Sequence, residues 1–568
     1  MTEHEELLML RKLVEKQQQE LAKKNQDILR KDQDILRKDQ DILRKDQDIL
    51  KKEQTIERLN IQVENMLQAL LHARKKLFGA SSETTASIAG QQNLFETTSE
   101  LAKELLAEQK KVTIAPYTRK PRQPGVRAEM LDALPKEIEE YIVDPEENCS
   151  VCGGELKVVG KKLIRTEVEF VPAKLKVKQI VQQVVKCTKC GTKESENPKD
   201  HFQKAAIPAS VLSHSIATPS LVAQVMYQKF AMGIPLHRQE SDFHRMGLIL
   251  PRSNMSHWVI RCCDEWLLPI YRLIHDELLK CEIIHMDETR IQVNKEEGKK
   301  ASSQSWMWVM QSGIHEAIKA TFFHYSSSRG ASVPQKLLEG FTGFLTTDAY
   351  IGYEKVVGIK RSLCWAHCRR YFVQSIPLDS TGKEISGSKG AEGREFINLL
   401  FKLEEEMKNL SHEERKEKRQ EASKAILEAF WSWVLETSEI PTTNVKLTQA
   451  LGYVQNQRKY LETFLEDGRL AISNNLCESH IRPLATARRA WLFADTPKGA
   501  TANAILYTLV ETSRANKLNV YEYLKYLLTV MPNTDYRNNP EKLHAYLPWS
   551  EDLPQECRLT HITKKCLK

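Results

Sequence analysis

The N-terminal part of the chain carries an apolar residue at every seventh position. The series begins at Leu7, passes through Ile28, Ile35, Ile42 and Ile49 and ends at Leu77. A period of seven marks the a position of a heptad repeat, which predicts a long helix over residues 1–78. The d position is apolar at Leu10 and again from Leu59 to Ala73. Between these it is polar, at Gln17, Lys24, Lys31, Lys38, Lys45 and Lys52.

This long helix has two interpretations. Isoleucine at the a position favours a parallel two-stranded coiled coil, so we expect a homodimer or a higher homo-oligomer. Lysine at d disfavours pairing, however, and the repeated Asp, Arg and Lys of DQDILRK can sustain a single solvated helix through local charge pairs. Pairing is therefore expected to be weakest in the centre and soundest at the C-terminal end.

Residues 79–135 predict a flexible basic linker, whose composition is rich in Ser, Thr, Gln and Gly through about residue 98. Its last part, APYTRKPRQPGVR, places basic residues among three prolines, which predicts an extended basic arm. Such an arm either follows a DNA backbone or is an ordinary solvated linker.

Two C-x-x-C-G motifs follow, separated by 34 residues: Cys149 with Cys152, and Cys187 with Cys190. Each motif supplies two thiolates from one tight turn, and four thiolates form a tetrahedral zinc site. The residues between them alternate in short β-rich runs, so residues 136–204 predict a zinc-binding ribbon with one structural Zn²⁺. Redox thiols and buried core cysteines are the alternatives. With four protein ligands, such a site has no open position for chemistry.

Residues 205–280 have a helical pattern. Thr218 followed by Pro219 predicts a helix start, a second helix extends from near Leu236 to Gly247, and Ser253 is expected to cap a third. Two helices joined by a glycine turn form either a helix-turn-helix, with residues 253–262 in the DNA major groove, or a helical packing module.

From Cys281 onwards the pattern changes to strands. Three β-rich runs occupy residues 281–293, 305–313 and 316–326, a helical run follows at 332–341, and a further strand ends near Asp348. This order predicts a meander followed by a crossover, with Asp287 of the first strand and Asp348 at one edge of the sheet. An aspartate in an apolar strand is costly unless it is paired or binds a cation, and two in this topology indicate a metal site.

A third carboxylate, Glu478, lies in a predicted helix. Arg482 and Arg489 share its face at i+4 and i+11, and Arg488 is close by. This arrangement sets a metal ligand beside groups that bind phosphate. A glutamate near arginines is also common as a surface ion pair, so only the conjunction with the two aspartates favours a site.

Several sequence segments between about residues 60 and 550 resemble segments of bacterial insertion-sequence-66 family transposases, and they occur in the same order. They include FGASSE, GIPLHRQE, HMDET, TDAYIGY, CWAHCRRYF and NNLCESHIRPLATARRAWLF. By this resemblance, Asp287, Asp348 and Glu478 occupy the Asp-Asp-Glu positions of the family. The chain departs from the family at Ser473, where aspartate is usual, and at Ser479, where arginine is usual.

The resemblance implies a DNA transposase with a ribonuclease-H-like catalytic core. Such an enzyme cleaves the ends of an insertion sequence and joins the 3′-hydroxyls to target DNA. Three hard carboxylates suit two Mg²⁺ or Mn²⁺ ions. The implied partners are the terminal inverted repeats, target DNA and accessory proteins of the same element. A catalytically inactive DNA-binding coiled-coil protein and a metal-dependent nuclease without strand transfer are the alternatives.

The catalytic domain is predicted over residues 281–535, with a helical insertion at about 380–465 and a C-terminal tail at 536–568. Cys364 and His367 form a C-x-x-H motif after the second aspartate. Their side chains are either core groups that lie beside the site or groups that contact DNA or metal. Arg369 and Arg370 follow and are expected to meet phosphate.

Composition narrows the class of protein only slightly. At 568 residues the chain is long enough for several domains, and its 28% charged and 41% hydrophobic residues are ordinary for a soluble globular protein. Together with the helical and strand patterns described above, this length predicts a multidomain α+β protein. Its formal charge of +8 fits a polyanionic partner. The N-terminus lacks an apolar signal region, and no stretch reaches the roughly 18 apolar residues of a membrane span. We therefore expect a bacterial cytoplasmic protein, associated with the nucleoid when bound to DNA, with no membrane partner.

Overall fold

The computed structural model describes residues 3–78, 137–141 and 201–559, together with short stretches between 158 and 199. The chain forms two compact units. The helical unit combines residues 3–78 with 364–468, and the sheet unit contains the described residues from 137 to 363 and from 469 to 559.

The predicted long helix is confirmed as α1, Glu3–Phe78. At 1.5 Å per residue it is roughly 110 Å long. The isoleucines at the central a positions are more than half exposed, at Ile28, Ile35, Ile42 and Ile49. Within the part of the chain that the structure describes, neither α1 nor any other helix is long and apolar enough to cross a membrane.

The zinc-binding segment is described only in part. Cys187 and Cys190 are half-buried, whereas Cys149 and Cys152 lie outside the described residues. The ribbon expected between the two motifs is not confirmed, since residues 173–183 are described without a strand. Among the residues that the structure describes, the side chains of this stretch are mostly exposed. Instead, β1 (Val184–Lys186) pairs with β2 (Phe202–Lys204), beyond the second motif.

The three helices predicted before the sheet are confirmed as α2 (Pro219–Met226), α3 (Leu236–Arg245) and α4 (Arg252–Cys262), and a fourth helix, α5 (Leu268–Leu278), completes the helical region. Thr218 caps α2, because its hydroxyl accepts a hydrogen bond from the Leu221 amide at 3.2 Å. Gly247 has a φ of +86°, a backbone conformation that favours glycine at the end of α3.

The prediction that Ser253 caps the third helix is wrong. Helix α4 begins one residue earlier, at Arg252, and Ser253 lies inside it. The carboxylate of Glu240 on α3 accepts a hydrogen bond from the Arg252 amide at 3.1 Å, so a side chain from the preceding helix satisfies one of the free amides at this N-terminus. The first turn of α4 is exposed while Met255 and Trp258 are buried, which is compatible with both interpretations of the α3–α4 pair.

The central sheet has five strands in the order β5-β4-β3-β6-β7. Strands β3 (Ile283–Gln292), β4 (Gln304–Ser312) and β5 (Thr321–Ser326) are antiparallel neighbours. After α6 (Ser332–Leu337), β6 (Phe344–Thr347) and β7 (Lys360–Leu363) run parallel to β3. The meander followed by a crossover is therefore confirmed.

Gly343 allows β6 to lie against β3. A Cβ atom at this position would be only 2.1 Å from the backbone carbonyl oxygen of Glu282, so a side chain would separate the strands. Instead, the Phe344 amide donates a hydrogen bond to that carbonyl at 2.8 Å. The close approach fixes the pairing that precedes Asp348.

Three helices complete the sheet unit: α12 (Asn475–Trp491), α13 (Pro497–Ala515) and α14 (Val520–Val530). Helix α13 covers the edge strand β5. Its Thr508 and Thr512 hydroxyls accept hydrogen bonds from the backbone amides of Phe323 and Thr321, at 2.9 and 3.1 Å. These contacts satisfy polar groups that a sheet edge would otherwise leave open to another strand.

The insertion predicted at about residues 380–465 is helical, and it is part of a helical segment that covers residues 364–468. It contains α7 (Trp365–Ser375), α8 (Lys389–Glu406), α9 (His412–Lys418), α10 (Lys424–Glu439) and α11 (Val445–Leu461). Aromatic side chains form its core, where Trp365 packs against Phe430 and Phe464. The buried Trp365 indole donates to the Leu461 carbonyl at 2.9 Å, which joins α7 to α11.

Candidate active site

Asp287 and Asp348 come from adjacent parallel strands. Asp287 lies within β3, opposite Val309 of β4, and Asp348 directly follows the last residue of β6. His285 is in register with Thr346, so each aspartate lies two residues beyond this pair, towards the same end of the two strands. Both are half-buried. The Tyr350 amide donates to the Asp348 carboxylate at 2.9 Å and orients it.

Glu478 is brought to β3 by Asn474, the residue before α12. The Asn474 side chain is fully buried and does not cap its own helix. Its amide nitrogen donates to the Met286 carbonyl at 3.1 Å, and its oxygen accepts a hydrogen bond from the His285 ring at 3.0 Å. Its backbone carbonyl accepts from the Glu478 amide at 3.1 Å. One residue therefore connects the first turn of α12 to the two residues that precede Asp287.

Further contacts hold α12 against the same strand pair. Cys477, next to Glu478, donates from its thiol to the carbonyl of Val309, the residue opposite Asp287, at 3.7 Å. Beyond the other end of α12, the Ala494 amide donates to the Gln292 carbonyl at 2.9 Å. Because the helix is connected to β3 beyond both of its ends, Glu478 has a fixed position relative to Asp287.

The electrostatics of Asp287 indicate a concentration of negative charge. The pKa of Asp287 is raised to about 8, mainly by burial and in addition by the negative charges of Glu288, Asp348 and Glu478, against a hydrogen bond from the Glu288 amide that lowers it. The structure thus brings the three predicted carboxylates into one electrostatically coupled group. Such a group is stabilised by cations.

A fourth carboxylate, Glu288, belongs to a different environment. The Arg329 guanidinium donates to it at 2.7 Å through Nε and lies 2.5 Å from it through a terminal nitrogen, and the Tyr353 hydroxyl donates to it at 2.7 Å. Its side chain is 1% exposed. Burial raises the pKa of Glu288, whereas Tyr353 and Arg329 lower it. Glu288 is therefore a paired, structural carboxylate beside the triad.

The arginine of this pair also supports the second aspartate. The Arg329 guanidinium lies 4.1 Å from the centre of the Tyr350 ring and 4.8 Å from that of Trp306. The Tyr350 hydroxyl donates to the Arg329 carbonyl at 2.5 Å, while the Tyr350 amide holds Asp348. Contacts thus run continuously from Glu288, the neighbour of Asp287, to Asp348.

His285 is neutral in this arrangement. Burial lowers its pKa to about 4, opposed by the hydrogen bond to Asn474. The Asn474 nitrogen donates to a backbone carbonyl, so its oxygen is the acceptor and the His285 Nδ1 carries the proton.

The predicted phosphate-binding arginines of α12 are accessible. Arg482 and Arg489 are exposed and Arg488 is half-buried. The departures from the family pattern lie close to Glu478. Ser473 is half-buried directly before Asn474, and the exposed Ser479 donates to the Leu476 carbonyl at 2.7 Å.

The remaining predicted site residues belong to the helical unit. Cys364 is fully buried, and His367 and Arg370 are half-buried in the same segment. Arg369 donates to the Asn398 side chain of α8 at 2.7 Å, so this guanidinium already has a structural contact within the unit. Their expected roles beside DNA or metal stay predictions.

Sequence reasoning missed Glu288, Arg329, Tyr353 and Asn474. Glu288 and Tyr353 stand in the words HMDET and TDAYIGY, which drew attention only to their aspartates. Asn474 stands in the asparagine pair before Glu478, a local signal for a helix cap, yet its side chain contacts a strand 188 residues away. No pattern around Arg329 indicated its partner.

Comparison with known families identifies the class of protein. The model described as "Transposase IS66 family" matches residues 214–502, which is more than half of the chain. The chain therefore belongs to the IS66 family of transposases, and the resemblance found in its sequence is confirmed. Models described as the zinc-finger binding domain of transposase IS66, the IS66 C-terminal element and "Transposase C of IS166 homeodomain" match residues 146–191, 508–549 and 66–138.

Relatives in Sinorhizobium fredii match most of the chain. The uncharacterized protein y4hP is 27% identical over 84% of this chain and 86% of its own length. The uncharacterized protein y4jD is 25% identical over 87% and 96%. Among solved structures, the Drosophila P element transposase strand transfer complex matches 56% of this chain and 83% of its own, with 14% identity and a TM-score of 0.21.

Proposed function

We propose that this chain is a DNA transposase that cleaves the ends of its insertion sequence and joins the 3′-hydroxyls to target DNA. Its catalytic residues are Asp287, Asp348 and Glu478, on a ribonuclease-H-like core. The observation that carries the proposal is their convergence: two aspartates follow in register on adjacent parallel strands, and the glutamate lies on a helix tied to the first strand.

The donor set fits divalent cations. Three carboxylates are hard oxygen ligands of the kind that Mg²⁺ and Mn²⁺ prefer, and their like charges raise the pKa of Asp287. Asp287, whose pKa both other carboxylates raise, would be a ligand of both of two ions, and Asp348 and Glu478 would each be a ligand of one. Bound there, the ions would supply an activated nucleophile, a stabilised leaving oxygen and neutralisation of charge at phosphorus.

The protein side chains position these groups and the DNA. Arg329 pairs with Glu288, which keeps that carboxylate in the core and leaves the triad as the ligand set. The exposed Arg482 and Arg489 on the Glu478 helix are placed to bind phosphates of transposon ends or target DNA. We also propose that Cys149, Cys152, Cys187 and Cys190 hold one structural Zn²⁺, which the zinc-finger match over residues 146–191 supports.

A strand-transfer assay tests the catalytic proposal. Purified full-length protein, with accessory proteins of the element, is incubated with terminal-repeat DNA, target DNA and Mg²⁺. We expect the wild-type protein to nick and join DNA. The rates of both reactions should fall by at least about 10³-fold in Asp287→Asn, Asp348→Asn and Glu478→Gln, because the three groups act as a unit. Glu297→Gln, at an exposed carboxylate of the sheet unit, is the matched control. Wild-type activity in Asp287→Asn would refute the assignment.

The same assay separates the alternatives. Nicking without joining would indicate a metal-dependent nuclease. Binding to terminal repeats with neither nicking nor joining would indicate a DNA-binding coiled-coil protein without catalysis. For zinc, elemental analysis should find about one ion per chain, lost on Cys187→Ser; a folded protein without zinc would refute the structural site.

A further inference from the structure

The C-terminal part of α1 presents two different faces. One face, which we call the docking face, contains the half-buried residues Ile61, Asn65, Gln68, Leu71 and His72. The other, which we call the heptad face, contains the a and d residues Ile56, Leu59, Val63, Met66 and Leu70, all exposed. Because residues three and four apart share one side of a helix, the two sets lie on different sides of α1.

The docking face contacts two loops of the helical insertion in the same chain. The Gln68 side chain pairs with the backbone of Leu378, accepting from its amide at 2.8 Å and donating to its carbonyl at 3.2 Å. The Asn65 side chain donates to the Thr443 carbonyl at 3.0 Å and accepts from the Val445 amide at 3.4 Å. Two side-chain amides thus each satisfy a backbone donor and a backbone acceptor, which is a specific contact.

The loops that receive α1 are themselves joined. Asn444, the cap of α11, accepts from the Leu447 amide at 3.1 Å and donates to the Ser375 carbonyl at 2.8 Å. The His72 ring lies 2.8 Å from the Ile376 carbonyl, in the loop after α7. The insertion therefore offers α1 a preformed platform of residues 375–378 and 443–445.

The heptad face is left exposed by this docking. Val63 is 61% exposed and Leu70 is 68% exposed, although both occupy a positions where the d series is apolar again. The docked residues occupy b, c and f positions, which lie on the outside of a two-stranded coiled coil. Docking on the insertion and pairing of two helices therefore use different faces of the same segment.

We propose that residues 56–72 of α1 form a two-sided connector, which binds the insertion of its own chain through the docking face and a second copy of this chain through the heptad face. A seven-residue apolar period is matched in register by a helix of the same period, and a second copy provides one. Dimerisation of the helices would then hold the two insertions at a fixed position on one coiled coil. The connector does not depend on the catalytic proposal, because no triad residue takes part.

Two pairs of substitutions in the full-length protein separate the faces. Asn65→Ala with Gln68→Ala removes the docking contacts. We expect the amide hydrogen exchange of Leu378 and Val445 to accelerate at least about tenfold, with no change in molar mass by light scattering. Gln54→Ala is the matched control, since Gln54 is exposed at the heptad position that Gln68 occupies two heptads later.

Val63→Glu with Leu70→Glu instead places charge on the heptad face. We expect the molar mass to fall to that of a monomer while the two amides keep their slow exchange; glutamate is a good helix former, so helix content by circular dichroism is retained. Val63→Gln with Leu70→Gln provides an uncharged second pair. The proposal is overturned if the docking pair leaves exchange unchanged, if the heptad pair leaves the mass unchanged, or if the heptad pair also accelerates exchange.

Discussion

Buried charges have opposite surroundings in the helical insertion and in the candidate active site. In the insertion, Arg419 is 1% exposed and forms a two-pronged pair with Glu404 at 2.7 and 2.8 Å. Its remaining nitrogen donates to the carbonyls of Phe464 and Asp467 at 2.8 and 2.9 Å. In the active site, Asp287 instead faces the carboxylates of Glu288, Asp348 and Glu478.

The difference separates structural from functional charge. A buried charge that serves the fold is paired and hydrogen-bonded, because an unpaired one costs free energy of folding. Carboxylates gathered against each other cost free energy in the metal-free chain, and a bound cation recovers it. The adjacent residues Asp287 and Glu288 illustrate the two cases. Glu288 is paired with Arg329, whereas Asp287 is not.

The largest expected effect is the loss of the structural pair. Arg419→Ala leaves Glu404 partly buried without its cation, so we expect the free energy of unfolding to fall by about 3–5 kcal/mol. Lys408→Ala removes an exposed pair with Glu405 in the same unit and should cost no more than about 0.5 kcal/mol. Thermal melting measures both; equal effects would show that burial does not set the value of the pair.

Removing the charge of Asp287 should instead increase the free energy of unfolding. The raised pKa means that the folded chain holds a proton which the unfolded chain releases, so unfolding free energy falls as pH rises from about 4 to about 8. Asp287→Asn does not titrate. In EDTA at pH 8 it should melt at least about 2 °C above wild type, which corresponds to a gain of roughly 1 kcal/mol. The gap should narrow at pH 5 and close only as the pH approaches 4, where the unfolded carboxyl is also protonated; a lower melting temperature at pH 8 would contradict the charge concentration.

The next effect concerns the position of Glu478. Asn474→Ala should weaken Mn²⁺ binding at least about tenfold, as for loss of a group that orients a metal ligand. Asn475→Ala, at the neighbouring exposed asparagine, is the matched control. Calorimetric titration measures both affinities. An unchanged affinity in Asn474→Ala would show that α12 keeps Glu478 in place without this contact.

The smallest effect is expected on DNA affinity. Arg482→Ala and Arg489→Ala should each make the binding of DNA less dependent on salt. The slope of the binding free energy against the logarithm of salt concentration should fall by the amount that corresponds to about one phosphate contact. Arg537→Ala, at an exposed arginine outside α12, should leave the slope unchanged. Fluorescence anisotropy with terminal-repeat DNA at several salt concentrations measures the slope; equal slopes for all proteins would remove α12 from the DNA interface.

Local pattern was sufficient for the elements that hold the triad. The apolar runs around Asp287 and Asp348 predicted strands, because residues buried in a sheet are continuous and β-rich. The helix of Glu478 and the long helix α1 follow from periodicity over many residues. These features depend on neighbours in sequence, which a single sequence contains.

Contacts between distant residues could not be predicted in this way. The first amide of α4, at Arg252, donates to the Glu240 side chain 12 residues before it, whereas the local candidate Ser253 lies inside the helix. Asn474 and His285 are 189 residues apart, and Gln68 and Leu378 are 310 apart. The identity of a polar side chain does not indicate which backbone group it will bond, because tertiary packing determines that partner.

Titration of Mn²⁺ into metal-free protein, with electron paramagnetic resonance counting the bound ions, measures whether the three carboxylates form a metal site. We expect two ions per chain in the wild type, and loss of binding at the triad in Asp287→Asn, with Glu297→Gln unchanged. Equal numbers and affinities in wild type and Asp287→Asn would contradict the account, because the convergence of Asp287, Asp348 and Glu478 would then not be a metal site.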